Sequence, residues 1–277
     1  KMKVVWLPLM LIILNTGIVK ARENSSKNDT LKTILQLFIP GDFIRAEADN
    51  MNNIIVVNKN GRLTKYNEKG DSIACFNDVL RMGRASAIDV SNPMKILVWS
   101  QRLSILTILD RWLTQRNQIK IKEAGGNAIQ VIGCSYDNNI WYFNNIDQQL
   151  KKIDVQSHLL IESNDMRSVV GEAINPITIQ DHNGWVILND TAKGIFLFDQ
   201  LGVFKTKLPF NWQDVFLQGN VIFGNKENWF HEYDMKTLEE KSLWLNFSIA
   251  DSRSIKTNGS GILQLKKEGL YLYKIIN

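Results

Sequence analysis

The sequence predicts an all-β fold: a six-bladed β-propeller of four-stranded antiparallel blades, with the ring closed by the N-terminal strand. Three observations lead there. A short strand ending in Asn or Asp, then a tight turn and another strand, recurs as Lys65-Tyr66-Asn67, Ile108-Leu109-Asp110, Lys152-Ile153-Asp154, Leu197-Phe198-Asp199 and Glu232-Tyr233-Asp234. The intervals between these Asx residues are 43, 44, 45 and 35, and a repeat of about 40–45 residues marks four-stranded propeller blades. Trp99, Trp141 and Trp185 recur at intervals of 42 and 44, as expected if each blade packs one large ring against its neighbour. Finally, residues 31–277 at about 42 per blade make close to six blades and fall short of seven.

The strands follow in order. Leu31 to Ile39 is a lone strand ended by Pro40-Gly41. Blade one reads Ile44 to Ala48, Asn53 to Asn58, Arg62 to Asn67 and Asp71 to Phe76, with Asn60-Gly61 and Lys69-Gly70 as turns. Asn-Gly is a strong hairpin signal because both central residues of a two-residue turn adopt positive φ. Blade two is Ser86 to Val90, Met94 to Gln101, Ser104 to Asp110 and Gln115 to Ile121; blade three is Ala128 to Ser135, Asn139 to Asn144, Gln149 to Asp154 and His158 to Ser163. A longer link, Asn164 to Asn175, has room for a helical turn. Blade four is Ile177 to Asp181, Gly184 to Asn189, Gly194 to Asp199 and Val203 to Leu208; blade five is Gln213 to Leu217, Asn220 to Gly224, Asn228 to Asp234 and Glu239 to Leu245. Only three strands remain: Ile249 to Lys256, Gly261 to Lys266 and Leu270 to Ile275. An open ring would leave bare sheet edges, so Leu31 to Ile39 is expected beside Leu270 to Ile275 as the outer strand of blade six.

Ahead of the strands, Val4 to Val19 is mostly apolar, follows Lys1 and Lys3, and leads to Val19-Lys20-Ala21. This pattern reads as a signal peptide over residues 1–21 with cleavage after Ala21. Asn15, Thr16 and Gly17 interrupt the run, which leaves it short of the roughly 20 apolar residues that span a bilayer. Residues 22–30 are polar and aperiodic, a disordered leader, and 31–277 form the propeller. The chain carries 33 Lys and Arg against 28 Asp and Glu. Because three of the basic residues and none of the acids lie in 1–21, the mature chain has 30 against 28 and is nearly neutral. Its one loose basic cluster, Arg111, Arg116, Lys120 and Lys122, reads as a charged edge strand, so nucleic acid is not an expected partner.

The stretch Ser86-Ala87-Ile88-Asp89-Val90-Ser91-Asn92-Pro93-Met94-Lys95-Ile96-Leu97 resembles uncharacterised exported propeller proteins of Bacteroidota, within the six-bladed propeller superfamily. The resemblance brings no catalytic residues and implies an envelope setting, most simply the periplasm.

Chemistry-bearing residues are scattered. Cys75 and Cys134 lie in apolar runs on blades one and three, too far apart to meet the roughly 7 Å limit for a disulfide, and both are expected to be buried free thiols. His158, His182 and His231 fall on three blades, so no metal site is expected. Glu47, Asp49, Asp89, Asp137, Asp181 and Asp251 lie near inner strands. Some six-bladed propellers are hydrolases that hold calcium with such oxygen ligands, but Asp49-Asn50, Asp137-Asn138 and Asp181-His182-Asn183 each precede a second strand, where Asx residues form turns. Gly125-Gly126 and Gly259-Ser260-Gly261 also read as turns, and no nucleophile or cofactor motif is present.

Two functions follow. The first is a non-catalytic, monomeric interaction module of the envelope that binds a protein or peptide through one face of the ring, with Trp112, Trp212 and Arg84 as contact residues. The second is a calcium-dependent propeller hydrolase or small-ligand sensor centred on the channel. No cofactor and no membrane insertion of the mature chain are expected.

Overall fold

The computed structural model describes residues 30–121, 128–257 and 261–276. The signal and all of the leader but Thr30, together with Lys122, Gly125-Gly126 and Gly259-Ser260, lie outside these residues. Six antiparallel sheets of four strands follow one another along the chain, and one of them carries a fifth strand. Each blade runs from an inner strand at the ring axis to an outer strand at the circumference. The inner strands are Phe43–Ala48, Ala87–Asp89, Ile129–Cys134, Thr178–His182, Gln213–Gln218 and Ser254–Thr257.

Both faces of a blade are covered, so second and third strands read as continuous apolar runs rather than alternating ones: Ile96–Ser100, Ile140–Asn144 and Gly261–Leu265 are buried at every position. The core is accordingly divided into six clusters, one at each contact between neighbouring blades. Trp99 packs against blade three and Trp141 against blade four, and both are fully buried. Trp185, half-buried, does the same toward blade five. Burial of one such ring contributes about 5 kcal/mol by area. Near the axis the inner strands crowd together. A Cβ on Gly133 would sit 3.0 Å from the Ile179 carbonyl oxygen of the next blade, so only glycine fits there without displacement.

The recurring Asx residues are explained by one turn. In Asn67, Asp110, Asp154 and Asp199, Oδ1 accepts the backbone N–H groups two and four residues ahead at 2.8–3.0 Å. The residue three ahead takes positive φ: Gly70, Leu113, Ser157 and Gly202. Asn58 builds the same loop over Asn60-Gly61. There only Gly61 has positive φ, which corrects the expected two-residue turn to a longer one. Asp234 bonds Lys236 and Thr237 instead, in a loop one residue longer whose positive φ falls at Leu238.

Ring closure occurs as expected, with one addition. Thr33–Pro40 pairs antiparallel with Gly269–Ile275 as the outer strand of blade six. The expected single strand is broken, however, because Thr30–Leu31 pairs in parallel with Trp244 and Leu245 of blade five. The N-terminal segment thus fastens two blades. Short helices occupy two links, Met166–Val170, where the helical turn was expected, and Val79–Met82, where none was.

Cys134 is buried and Cys75 is exposed, and both are free thiols. The expectation of two buried thiols fails for Cys75 because its outer strand has no blade beyond it. Among the described residues no helix is long and apolar enough to cross a membrane.

Candidate functional site

The inner strands enclose a central channel with a cavity of about 520 Å³, a size suited to a small ligand or a long side chain. Most of its polar side chains bridge blades. Asp89 accepts the Cys134 N–H at 2.5 Å from blade three and the N–H of Ser91 at 2.7 Å from its own turn. Asp181 Oδ2 accepts from Ser135 Oγ at 2.8 Å, the Tyr136 N–H at 3.2 Å and Trp141 Nε1 at 2.8 Å. Gln180 spans to blade five, donating to the Val215 carbonyl and accepting the Leu217 N–H, both at 2.7 Å. Asp214 accepts the Ile255 N–H of blade six at 3.0 Å. Acceptors are needed here because inner strands have one free edge, and buried N–H groups left unpaired are costly.

Along one wall of the channel, Lys256 of blade six lies 3.3 Å from both Glu47 of blade one and Asp214 of blade five. Asp214 reaches it from a bulge, at a positive φ of 47°; bulges of this kind re-aim a side chain. Burial disfavours the Lys256 charge, but Glu47 and Asp214 outweigh it and hold the ammonium above its ordinary range. Burial pushes the Glu47 carboxyl up against the pull of Lys256, and the Asp89 carboxyl up against its backbone hydrogen bonds. Burial, reinforced by Asp89, pushes the Cys134 thiol up to about 12. Neither the thiol nor the Lys256 amine is therefore an activated nucleophile, since that role needs a thiolate or a neutral amine. What the channel offers is fixed charge.

Asp49 and Asp137 form turns, as their spacing implies. Asp49 Oδ1 accepts the N–H groups of Met51 and Asn53, Asp137 that of Asn139. Asp181 belongs instead to a strand, and its turn is left to Asn183-Gly184, both at positive φ. His182 lies at the channel rim; His158 bonds Asp154 in its own turn, and His231 bonds Ser242 within blade five. The structure does not bring the three together.

The contact residues chosen from sequence do not form one surface. Trp112 is 55% exposed and has the Arg111 guanidinium 5.1 Å over its ring. It lies in the turn between third and outer strands, whereas Arg84, also exposed, lies in the link from blade one to blade two. In an antiparallel blade these connections are at opposite ends, so the two residues sit on opposite faces. Trp212 is buried to 3% exposure, stacked on Phe210 at 4.4 Å and on His231 at 5.0 Å. The expectation that it is exposed is wrong, because Gly224 clears the space its ring fills: a Cβ on that glycine would lie 2.8 Å from the Trp212 Cβ.

Sequence reasoning missed Arg45, Asp214 and Lys256 in the channel. It also missed Met51, Met94 and Tyr136, which are 57–61% exposed and occupy the turns between inner and second strands of blades one to three. Cross-links between turns, Asn92 Nδ2 to Asn138 Oδ1 at 2.9 Å and Lys95 to the Asn138 carbonyl, join blades two and three there. A large apolar residue inside a turn is the signal that would have found these three.

No protein-family model matches the chain, and no curated protein sequence matches it. Solved structures do. The chain is similar to a streptogramin B lyase, at 14% identity and TM-score 0.59, over 83% of this chain and 78% of that one. The Pan2 WD40 domain of Neurospora crassa matches at 9% identity and TM-score 0.64, over 90% and 97%. A catalytically inactive virginiamycin B lyase from Staphylococcus aureus, with quinupristin, matches at 11% identity and TM-score 0.56, over 83% and 80%. At such identities the likeness is one of fold.

Proposed function

We propose that this protein is a non-catalytic interaction module of the cell envelope, binding a protein or peptide on the ring face formed by the turns after the inner and third strands. The observation that carries this reading is the row of Met51, Met94 and Tyr136 on three consecutive blades, beside the channel mouth, with Trp112 farther out on the same face. Exposed Met and aromatic residues among polar neighbours are the composition of recognition surfaces. The channel chemistry favours binding over catalysis, because its thiol and its amine are both held in their protonated forms. The envelope setting rests on the pattern of residues 1–21, and mass spectrometry of the mature N-terminus tests it: a chain beginning near Arg22 is expected, and one retaining residues 1–21 excludes it.

The interaction reading is tested by affinity purification from the native envelope. A triple variant, Met51→Ser, Met94→Ser and Tyr136→Ser, should lose a partner that wild type retains, with melting unchanged. Leu80→Ser, fully exposed on the opposite face, should keep it. If Leu80→Ser loses the partner and the triple variant does not, the binding face is the other one. Turnover of a lactone or phosphoester by the purified protein, abolished by Glu47→Gln, would replace the module with an enzyme.

A further inference from the structure

Resting on that proposed face, we infer that its partner inserts a lysine or arginine side chain into the channel, with flanking apolar residues resting on Met51, Met94 and Tyr136. Four carboxylates line the channel, Glu47, Asp89, Asp181 and Asp214, against two cations, Arg45 and Lys256. The charges are unevenly spread. Lys256 is held by Glu47 and Asp214. Asp89 and Asp181, on the other wall, are held by backbone N–H groups, the Ser91 and Ser135 hydroxyls and the Trp141 indole, all neutral donors. Among the described residues neither has an ion-pair partner within 4.0 Å. Lys95, at the rim, donates to the Asn138 carbonyl and acts on Asp89 only through longer-range attraction.

The acidic wall and the apolar rim meet at a single residue. The Tyr136 N–H bonds Asp181 while its ring stands 61% exposed at the mouth. A peptide seated on the rim therefore has its next side chain beside two half-buried carboxylates that no cation pairs with directly. In a concave, partly desolvated site an incoming ammonium or guanidinium is attracted more strongly than at an open surface, and a carboxylate is repelled. The cavity has the volume for a long aliphatic stem with a charged head.

Selection of a random peptide library on the intact protein tests this without knowledge of the natural partner. The peptides enriched should carry a Lys or Arg flanked by apolar residues. Exchanging that residue for norleucine should weaken a synthetic peptide at least about tenfold, a difference typical of losing a desolvated charge pair. The Asp89→Asn and Asp181→Asn double variant keeps acceptors for the inter-blade hydrogen bonds and should weaken binding comparably. Norleucine exchange on wild type gives the same information should that variant fold poorly. Enriched peptides with no basic residue, or unchanged binding after the exchange, overturn the inference. If such peptides still depend on Met51, Met94 and Tyr136, the proposed face survives without it. Enrichment no greater on wild type than on the Met51, Met94 and Tyr136 triple variant would end both.

Discussion

Blades one and three bury a lysine where blades two and four bury an aliphatic side chain. The position is the same in each, two residues before the recurring Asx: Lys65 and Lys152 in the odd blades, Ile108 and Leu197 in the even ones, all at 5% exposure or less. Each lysine has an acid in the turn between the inner and second strands of its own blade. Lys65 lies 3.1 Å from Asp49, with their side chains 3% and 0% exposed, and also donates to the Arg111 carbonyl at 3.3 Å. Lys152 lies 2.9 Å from Asp137, which is 31% exposed, and its ammonium stands 4.6 Å from the Trp141 ring centre. Ile108 and Leu197 have no such acid and pack into the inter-blade clusters. The Asx turn therefore dictates the path of the strand and is indifferent to what fills the space beside it, provided any charge arrives with its partner.

The largest break in this equivalence should come from Ile108→Lys, which installs the blade-one residue without its acid. Loss of apolar burial plus an unpaired buried charge should destabilise by more than about 4 kcal/mol, read from urea unfolding. A smaller loss would mean that blade two can bring a countercharge to the site. Next, Asp49→Ala strands Lys65 and should cost about 3–5 kcal/mol, much of it recovered when Lys65→Met is added, because an apolar pair of similar volume replaces a buried ion pair at little cost. If the double variant is no more stable than the single one, the hydrogen bonds of Asp49 to its turn carry the effect instead.

Asp137→Ala should be milder, about 1–3 kcal/mol, since its carboxylate reaches water and Lys152 keeps its aromatic neighbours. The pair should also show in acid. Burial works against the Asp137 charge, but the hydrogen bonds from Lys152, Ser135 and Asn139 outweigh it and hold the carboxyl down to about 2. With the folded value below the unfolded one near 3.9, the associated stability is present above about pH 4 and is lost as pH falls toward 2. Melting curves of wild type and Asp137→Ala should converge over that interval. Curves that stay parallel would show that Asp137 does not titrate there.

The smallest effect sharpens the turn itself. Ser157 holds the place in its loop that Gly70 and Gly202 hold in theirs, at a φ of 71°. Ser157→Gly should raise stability by about 0.5–1 kcal/mol in thermal melts, since glycine adopts that conformation without the Cβ penalty. A decrease would mean that the extra chain entropy of glycine dominates.

These comparisons also show what the sequence made legible. The Asx turn is written within five residues, from the acceptor to the N–H four ahead, so its repeat revealed the blade period and strand order, and the strand left over revealed the closure. Burial at a link is decided by the neighbouring strand. Trp112 and Trp212 both flank turns, yet only Trp212 meets a glycine, Gly224, that makes room for it. The channel was less legible still: Asp214 and Lys256 are joined across blades by a bulge that leaves no local mark. The same holds for Thr30–Leu31, whose parallel pairing with Trp244 and Leu245 answers to no pattern of its own.

That N-terminal fastening bears on how the ring comes into being. Thr33 hydrogen-bonds Asn246, 213 residues away, and its strand pairs with Gly269–Ile275, so a strand made ahead of all six blades is among the last to find its place. Until Gly269–Ile275 has been made, Leu37 and Ile39, which the finished ring covers, have no sheet to join, and pairings of such long range are slow to form. The interval between the first and last strands is therefore the time in which this chain depends most on whatever shields nascent apolar segments, and a variant that delays blade six should reveal itself in yield before it does so in melting temperature.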